Sequence, residues 1–204
     1  MERTLFRIAD WHAPLRVNPN RSPGRFHRAG QLAVYACLHP LGPWAEFLRT
    51  EAPPEPLRAH FRHRMWALRL DLTEATFIDF GDAELWGIDP YDLVDDDHGA
   101  CQGLADRLRE QDVTTVVVPS AALPGTYNVV IFEPRVASPW DAEIFDRIDV
   151  PVGMVADHAT IPRELLELVR FRGDPHPAHT AWDDGQAFLF DDPVWDNWEL
   201  PGDR

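Results

Sequence analysis

The chain has 204 residues, two cysteines and a formal net charge of −15, which is enough length to bury a core without staples and too acidic a balance for a general phosphate-backbone footprint. Direct nucleic-acid binding and attachment to an anionic membrane are therefore disfavoured. Every basic residue is arginine, so a Walker lysine, a Schiff-base lysine and a kinase-type phosphate lysine are excluded, and any phosphate must be held by arginine or backbone amides.

The opening MERTLFRIADWHAPLR lacks an apolar stretch of signal-peptide length, and no later run is long enough to cross a bilayer, so a cytoplasmic protein is expected. Arg3, Arg7, Arg16, Arg21, Arg25 and Arg28 outnumber Glu2 and Asp10 in this segment, which therefore attracts an anionic ligand. Residues 18–24 read as turn and loop, and 32–38 as a β-rich run containing Tyr35. Pro40, Gly42 and Pro43 break that strand. WAEFLRTE then reads as a short helix with Glu46 near its start, ended by Pro53, Pro54 and Pro56. A strand is expected over 65–72, with 75–80 as a second candidate able to continue it. Residues 99–111 place Leu104, Ala105 and Leu108 on one face of an amphipathic helix capped by His98 or Asp97. The apolar runs 114–119 and 128–132 read as buried strands, and 162–171 as a helix led by Pro162.

Neither Cys37 nor Cys101 has CxxC spacing, so neither a zinc cluster nor a disulfide framework is expected. His60 with His63, and His176 with His179, read as surface histidines, since neither pair has a third ligand at a recognised spacing. Asp95, Asp96 and Asp97 read as a solvated acidic turn, because a calcium loop's glycine and terminal glutamate are missing.

Chemistry concentrates in two strings. GRFHRAGQLAVYACLHPLGPWAE carries Arg25, Arg28, Tyr35 and Glu46, and VVVPSAALPGTYNVVIF carries Ser120 and Asn128. A cation able to fork onto a diphosphate, a phenol, a carboxylate and a hydroxyl at a strand end are the parts that hold a phosphorylated nucleotide and stabilise a sugar cation. Arg28 competes with Arg25 for the anion, and Asn128 is a supporting hydrogen-bonding residue. Each also has an ordinary reading: an ion-paired arginine, a core aromatic, a helix-dipole glutamate, a turn amide. Ser120 lacks a GxSxG elbow, which argues against a hydrolase nucleophile.

The order and surroundings of Gly24, Arg25, Phe26, Tyr35, Ala45 and Glu46, followed by Pro119, Ser120, Ala121, Asn128 and Phe132, resemble the RES domain family. Where that family often reads Asn-Pro-Pro-Gly after GRF, this chain has His27, Arg28, Ala29 and Gly30. The resemblance implies an α/β (α+β) fold of ADP-ribosyltransferase type, with central mixed or antiparallel sheets and short flanking helices. It implies an NAD-consuming toxin with an antitoxin partner, NAD being substrate and no cofactor being needed. Under it, Glu46, Ser120 and Tyr35 are the catalytic set, and Arg25, Arg28, Tyr35, Ser120 and Asn128 bind substrate. Residues 1–173 form the catalytic domain, and 174–204 an acidic arm bearing Trp182, Trp195 and Trp198. An ADP-ribosyltransferase acting on a protein and a non-catalytic nucleotide- or antitoxin-binding module remain the alternatives.

Overall fold

β-Branched and apolar runs supply a sheet whose strands alternate their side chains between two separately packed faces. The computed structural model describes residues 1–8, 22–51, 63–133, 152–159 and 164–188. The described strands are β1 (Glu2–Ile8), β2 (Ala33–Cys37), β3 (His63–Asp71), β4 (Thr76–Phe77), β5 (Thr115–Pro119), β6 (Tyr127–Phe132) and β7 (Val152–Ala159). They form one seven-stranded sheet in the order β4-β5-β6-β2-β1-β3-β7. All neighbours are antiparallel except β4 with β5. The expected α/β architecture with a mixed sheet is present, as one sheet with few helices.

On one face, Ala33, Val116, Val118, Val130 and Phe132 pack against Leu104, Ala105 and Leu108 of helix α2 (Gly99–Glu110). The opposite face buries Val34, Ala36, Val117, Val129 and Ile131 with Leu5 and Leu70. A third cluster seats helix α1 (Gly42–Glu51), through Leu41, Trp44, Ala45 and Leu48, on Phe6, Met65, Leu165 and Val169. Apolar burial of this kind stabilises at about 25 cal/mol per Å², so the faces fix register, and register fixes where polar side chains emerge.

Two expectations are corrected, and two elements stand where none was expected. Residues 76–77 do not continue β3: Ala75 N–H closes a turn onto Leu72 O, and the chain crosses to the far edge, where β4 pairs parallel with β5. The helix expected over 162–171 is, among its described residues, a 3-10 turn at Glu164–Glu167. Arg170 N–H leaves the helical ladder to bond Ala122 O at 2.9 Å, and that tertiary bond ends the turn. Strand β1 carried no sequence signal, yet it pairs with β3 from Glu2↔Asp71 to Ile8↔Met65. After Gly173 a further helix, α3 (Pro177–Asp183), forms with Pro177 in its first turn and the His176 side chain accepting from Ala178 N–H.

The described part of the expected C-terminal arm continues the α2-side core, where Ala178 is buried and Trp182 and Phe188 pack against it. Trp195, Trp198, His60 and Pro53 to Pro56 lie outside the described residues. Among the described residues, no helix is long and apolar enough to cross a membrane.

Candidate active site

Glu46 is set in place from α1. Gly42 lets the helix start close against β2, since a Cβ there would lie 2.5 Å from Cys37 Cβ. One turn on, the Glu46 carboxylate meets the end of the β5–β6 hairpin. Asn128 Nδ2 donates to Glu46 Oε1 at 2.6 Å, and Ser120 Oγ donates to the same oxygen at 3.4 Å. Asn128 Oδ1 is left buried without a partner, the kind of local cost that collects at functional sites. Glu46 Oε2 has no hydrogen-bond partner among the described residues. One carboxylate oxygen is thus anchored, and the other carries no bond from the described residues.

Ser120 follows β5 and is 1% exposed. Its Oγ accepts from Ala122 N–H at 3.3 Å and Leu123 N–H at 3.0 Å, while its own proton goes to Glu46. The hydroxyl is fully engaged inside the protein, with Glu46 taking its proton.

Tyr35 shares its sheet face with Asn128: it sits opposite Val130, and Cys37 sits opposite Asn128. Its hydroxyl accepts from Phe26 N–H at 2.9 Å and lies 2.7 Å from His27 Nδ1, whose Nε2 reaches Ser22 O at 3.1 Å. With Nε2–H donating to that carbonyl, Nδ1 is the acceptor and the phenol supplies the proton. The GRFH string is therefore a tight loop wrapped on Tyr35. Only glycine fits at Gly24, where a Cβ would stand 2.3 Å from the His27 ring. Burial pushes the Tyr35 phenol up, so it stays protonated. His27, which sequence reasoning passed over, is as much part of this loop as Tyr35. Tyr35→Phe should strand Phe26 N–H and His27 Nδ1, costing about 1–3 kcal/mol of stability. Urea denaturation measures that loss.

Arg25 and Arg28 part company. Arg25 Nη1 donates to Leu93 O at 3.3 Å, the Cys101 thiol lies beside it, and no carboxylate pairs with it among the described residues. Its field is felt at Tyr35, His98 and Arg49. Arg49, one turn beyond Glu46, feels both Arg25 and Glu46. Arg28 instead binds Asp106 at 2.7 Å on α2, with Gln102 at 3.5 Å, and its side chain is 54% exposed. The structure does not bring Arg28 to Glu46. Arg28→Ala should cost no more than about 1 kcal/mol of stability, as expected of an exposed pair; urea denaturation decides.

Asp96, read as part of a solvated turn, accepts from Arg49, Arg170 and Gly173 N–H. Arg49 and Arg170 are buried. This cluster ties α1 to the loop before α2 and to residues 170–173. No local sequence signal pairs residues so far apart.

Three histidines are held neutral. Burial and then the Arg25 field push His98 down to about 4, burial pushes His176 down to about 3, and burial lowers His27. Each titrates near 6.5 when unfolded. Below that value the unfolded chain binds more protons, so their contribution to stability is complete above about pH 6.5 and is lost as pH falls toward their folded values. Thermal melts should show Tm falling from pH 7.5 to 5; a flat Tm there contradicts the assignment.

The RES domain profile matches residues 4–146. A Mycobacterium tuberculosis protein named as a probable NAD(+) phosphorylase is 33% identical over 119 residues, 57% of this chain and 56% of that relative. The match thus spans little more than half of the relative's length. A chain from the crystal structure of the M. tuberculosis MbcT-MbcA toxin-antitoxin complex superposes with a TM-score of 0.58 at 16% identity, covering 82% of this chain and 89% of that one. At that identity the likeness is one of fold. With Arg25, Tyr35, Glu46, Ser120 and Asn128 all inside the matched span, which takes in well over half of the sequence, the chain belongs to the RES domain family.

Proposed function

We propose that the protein cleaves NAD at the nicotinamide–ribose bond and acts as the toxin of a toxin–antitoxin pair in the cytoplasm. The observation that carries the reading is the half-anchored carboxylate: Ser120 and Asn128 hold Glu46 Oε1, and Oε2 is left to face developing positive charge. The chemistry needs little more. Nicotinamide leaves as a neutral molecule from an already cationic pyridinium, so no general acid is required. What must be stabilised is the oxocarbenium ion left on the ribose, and a fixed carboxylate does this without reorganising.

Arg25, which no acid pairs among the described residues, grips the diphosphate through its fork of N–H donors. Tyr35 and His27 hold the loop that presents Arg25, and Ser120 and Asn128 hold Glu46. These four are positioning residues, and Glu46 and Arg25 touch the substrate. No cofactor is required, because NAD is consumed.

The name of the mycobacterial relative favours phosphate as acceptor, and the toxin-antitoxin structure favours an inhibitory protein partner. Incubating purified protein with NAD, with and without inorganic phosphate, tests the reading. Nicotinamide release that rises with phosphate, with ADP-ribose 1-phosphate as co-product, is expected. No nicotinamide under either condition would leave a nucleotide-binding module.

A further inference from the structure

We propose that His176 is a positioning residue of the active site, fixing the Ser120 turn through a hydrogen bond from its Nε2–H to the Ser120 carbonyl oxygen. The inference rests on the reading of Glu46 as the reacting carboxylate and Ser120 as its holder. It assigns a role to a residue outside the family match, which ends at 146.

The ring's hydrogen-bond geometry is determined on both sides. His176 is 1% exposed. Its Nδ1 accepts from Ala178 N–H at 3.1 Å, so the ring proton sits on Nε2, and Nε2 lies 3.3 Å from Ser120 O. Phe80 and Phe188 pack around the ring with centroids 6.0 and 5.7 Å away. Burial keeps the imidazole neutral, so Nδ1 remains an acceptor and Nε2 a donor at working pH.

The carbonyl it holds is one that matters. Ser120 stands where β5 ends, with its N–H on Thr126 O at 2.9 Å. Rotating the Ser120–Ala121 peptide plane would pull the Ala122 and Leu123 amides away from Oγ, the oxygen that also bonds Glu46. His176 blocks that rotation from one side. From the other, Arg170 N–H holds Ala122 O at 2.9 Å, and the Arg170 guanidinium is itself fixed by Val94 O and Asp96. Residues 170–178 thus grip the serine turn at two carbonyls. Of these, 174–178 belong to what the sequence alone presents as a C-terminal arm.

Two substitutions separate this role from capping of α3. His176→Asn keeps a short side-chain oxygen for Ala178 N–H and loses the reach to Ser120. His176→Gln keeps an N–H donor near the Nε2 position and loses the cap. His179→Asn is the control, since that ring lies 3.2 Å from Tyr91 O on the same helix.

The experiment pairs amide hydrogen exchange at Ala122 and Leu123 with steady-state nicotinamide release. In H176N we expect both amides to exchange about tenfold faster and kcat to fall about tenfold with the NAD KM within about twofold. H176Q and H179N should stay within about twofold of the parent in both readouts. Unchanged exchange in folded H176N, faster exchange with parental kcat, or equal impairment of H176Q would each overturn the proposal. The parent protein provides a variant-free check by nitrogen NMR, in which a slowly exchanging Nε2–H supports the assignment and an Nδ1–H tautomer overturns it. If the parent releases no nicotinamide, the functional reading fails by itself, while exchange rates and tautomer still decide whether His176 holds the turn.

Discussion

Glu46→Gln should lower nicotinamide release from NAD by about 100-fold or more while leaving NAD affinity and fold nearly unchanged. The amide is isosteric with the carboxylate, and its single carbonyl oxygen can still accept from Asn128 Nδ2 and Ser120 Oγ, which both reach Oε1. What changes is Oε2, replaced by an amide nitrogen that donates where a negative charge faced the ribose. A donor there repels the oxocarbenium ion, so the loss falls on kcat and not on ground-state binding. Single-turnover release together with calorimetric NAD binding separates the two. A variant that keeps a third or more of the parental rate would remove Glu46 from the chemistry.

Arg25→Lys should weaken NAD binding by about 10- to 100-fold, the scale of a lost charge-assisted bidentate contact. Lysine keeps the charge but not the planar fork, and its ammonium cannot bond the Leu93 carbonyl and a diphosphate in the same geometry. The effect should appear in KM and Kd. It should also be much smaller for nicotinamide riboside, which has no diphosphate to grip. Equal weakening for both substrates would mean that Arg25 acts on the loop and not on phosphate.

Legibility followed how locally each feature is determined. The apolar runs that became β5 and β6 were readable because they are buried on both faces, which leaves a continuous Val/Ile signal. Helix α2 was readable from its spacing, and α1 from the break at Pro40 to Pro43. Strand β4 is two residues long, and only its parallel pairing with β5 makes it a strand. Strand β1 mixes Glu, Arg and Thr with Leu and Phe, and its identity comes from the full-length partner β3. Helix α3 rests on a histidine cap and a leading proline over seven residues, too short for periodicity to show.

The site divides the same way. Arg25, Glu46 and Ser120 were visible as residue types at strand and helix ends. Their pairings were not: Asn128, legible as a supporting residue, reaches Glu46 across 82 positions, and His176, read as a surface histidine, reaches Ser120 across 56. Arg25 and Arg28 looked equivalent in sequence. Asp106, 78 positions from Arg28, tells them apart by occupying one, while among the described residues no acid pairs with the other. Likewise Tyr35 and Ser120 were legible as site residues, but the direction of their hydroxyls, inward onto His27 and Glu46, depends on contacts that only folding creates.

A crystal structure of the Glu46→Gln variant with NAD bound tests the central claim most directly. The account predicts the anomeric carbon of the nicotinamide ribose within about 3–4 Å of the residue-46 side chain, with the Arg25 guanidinium on the diphosphate. NAD seated away from residue 46, or oriented with its adenosine end against that side chain, would contradict it.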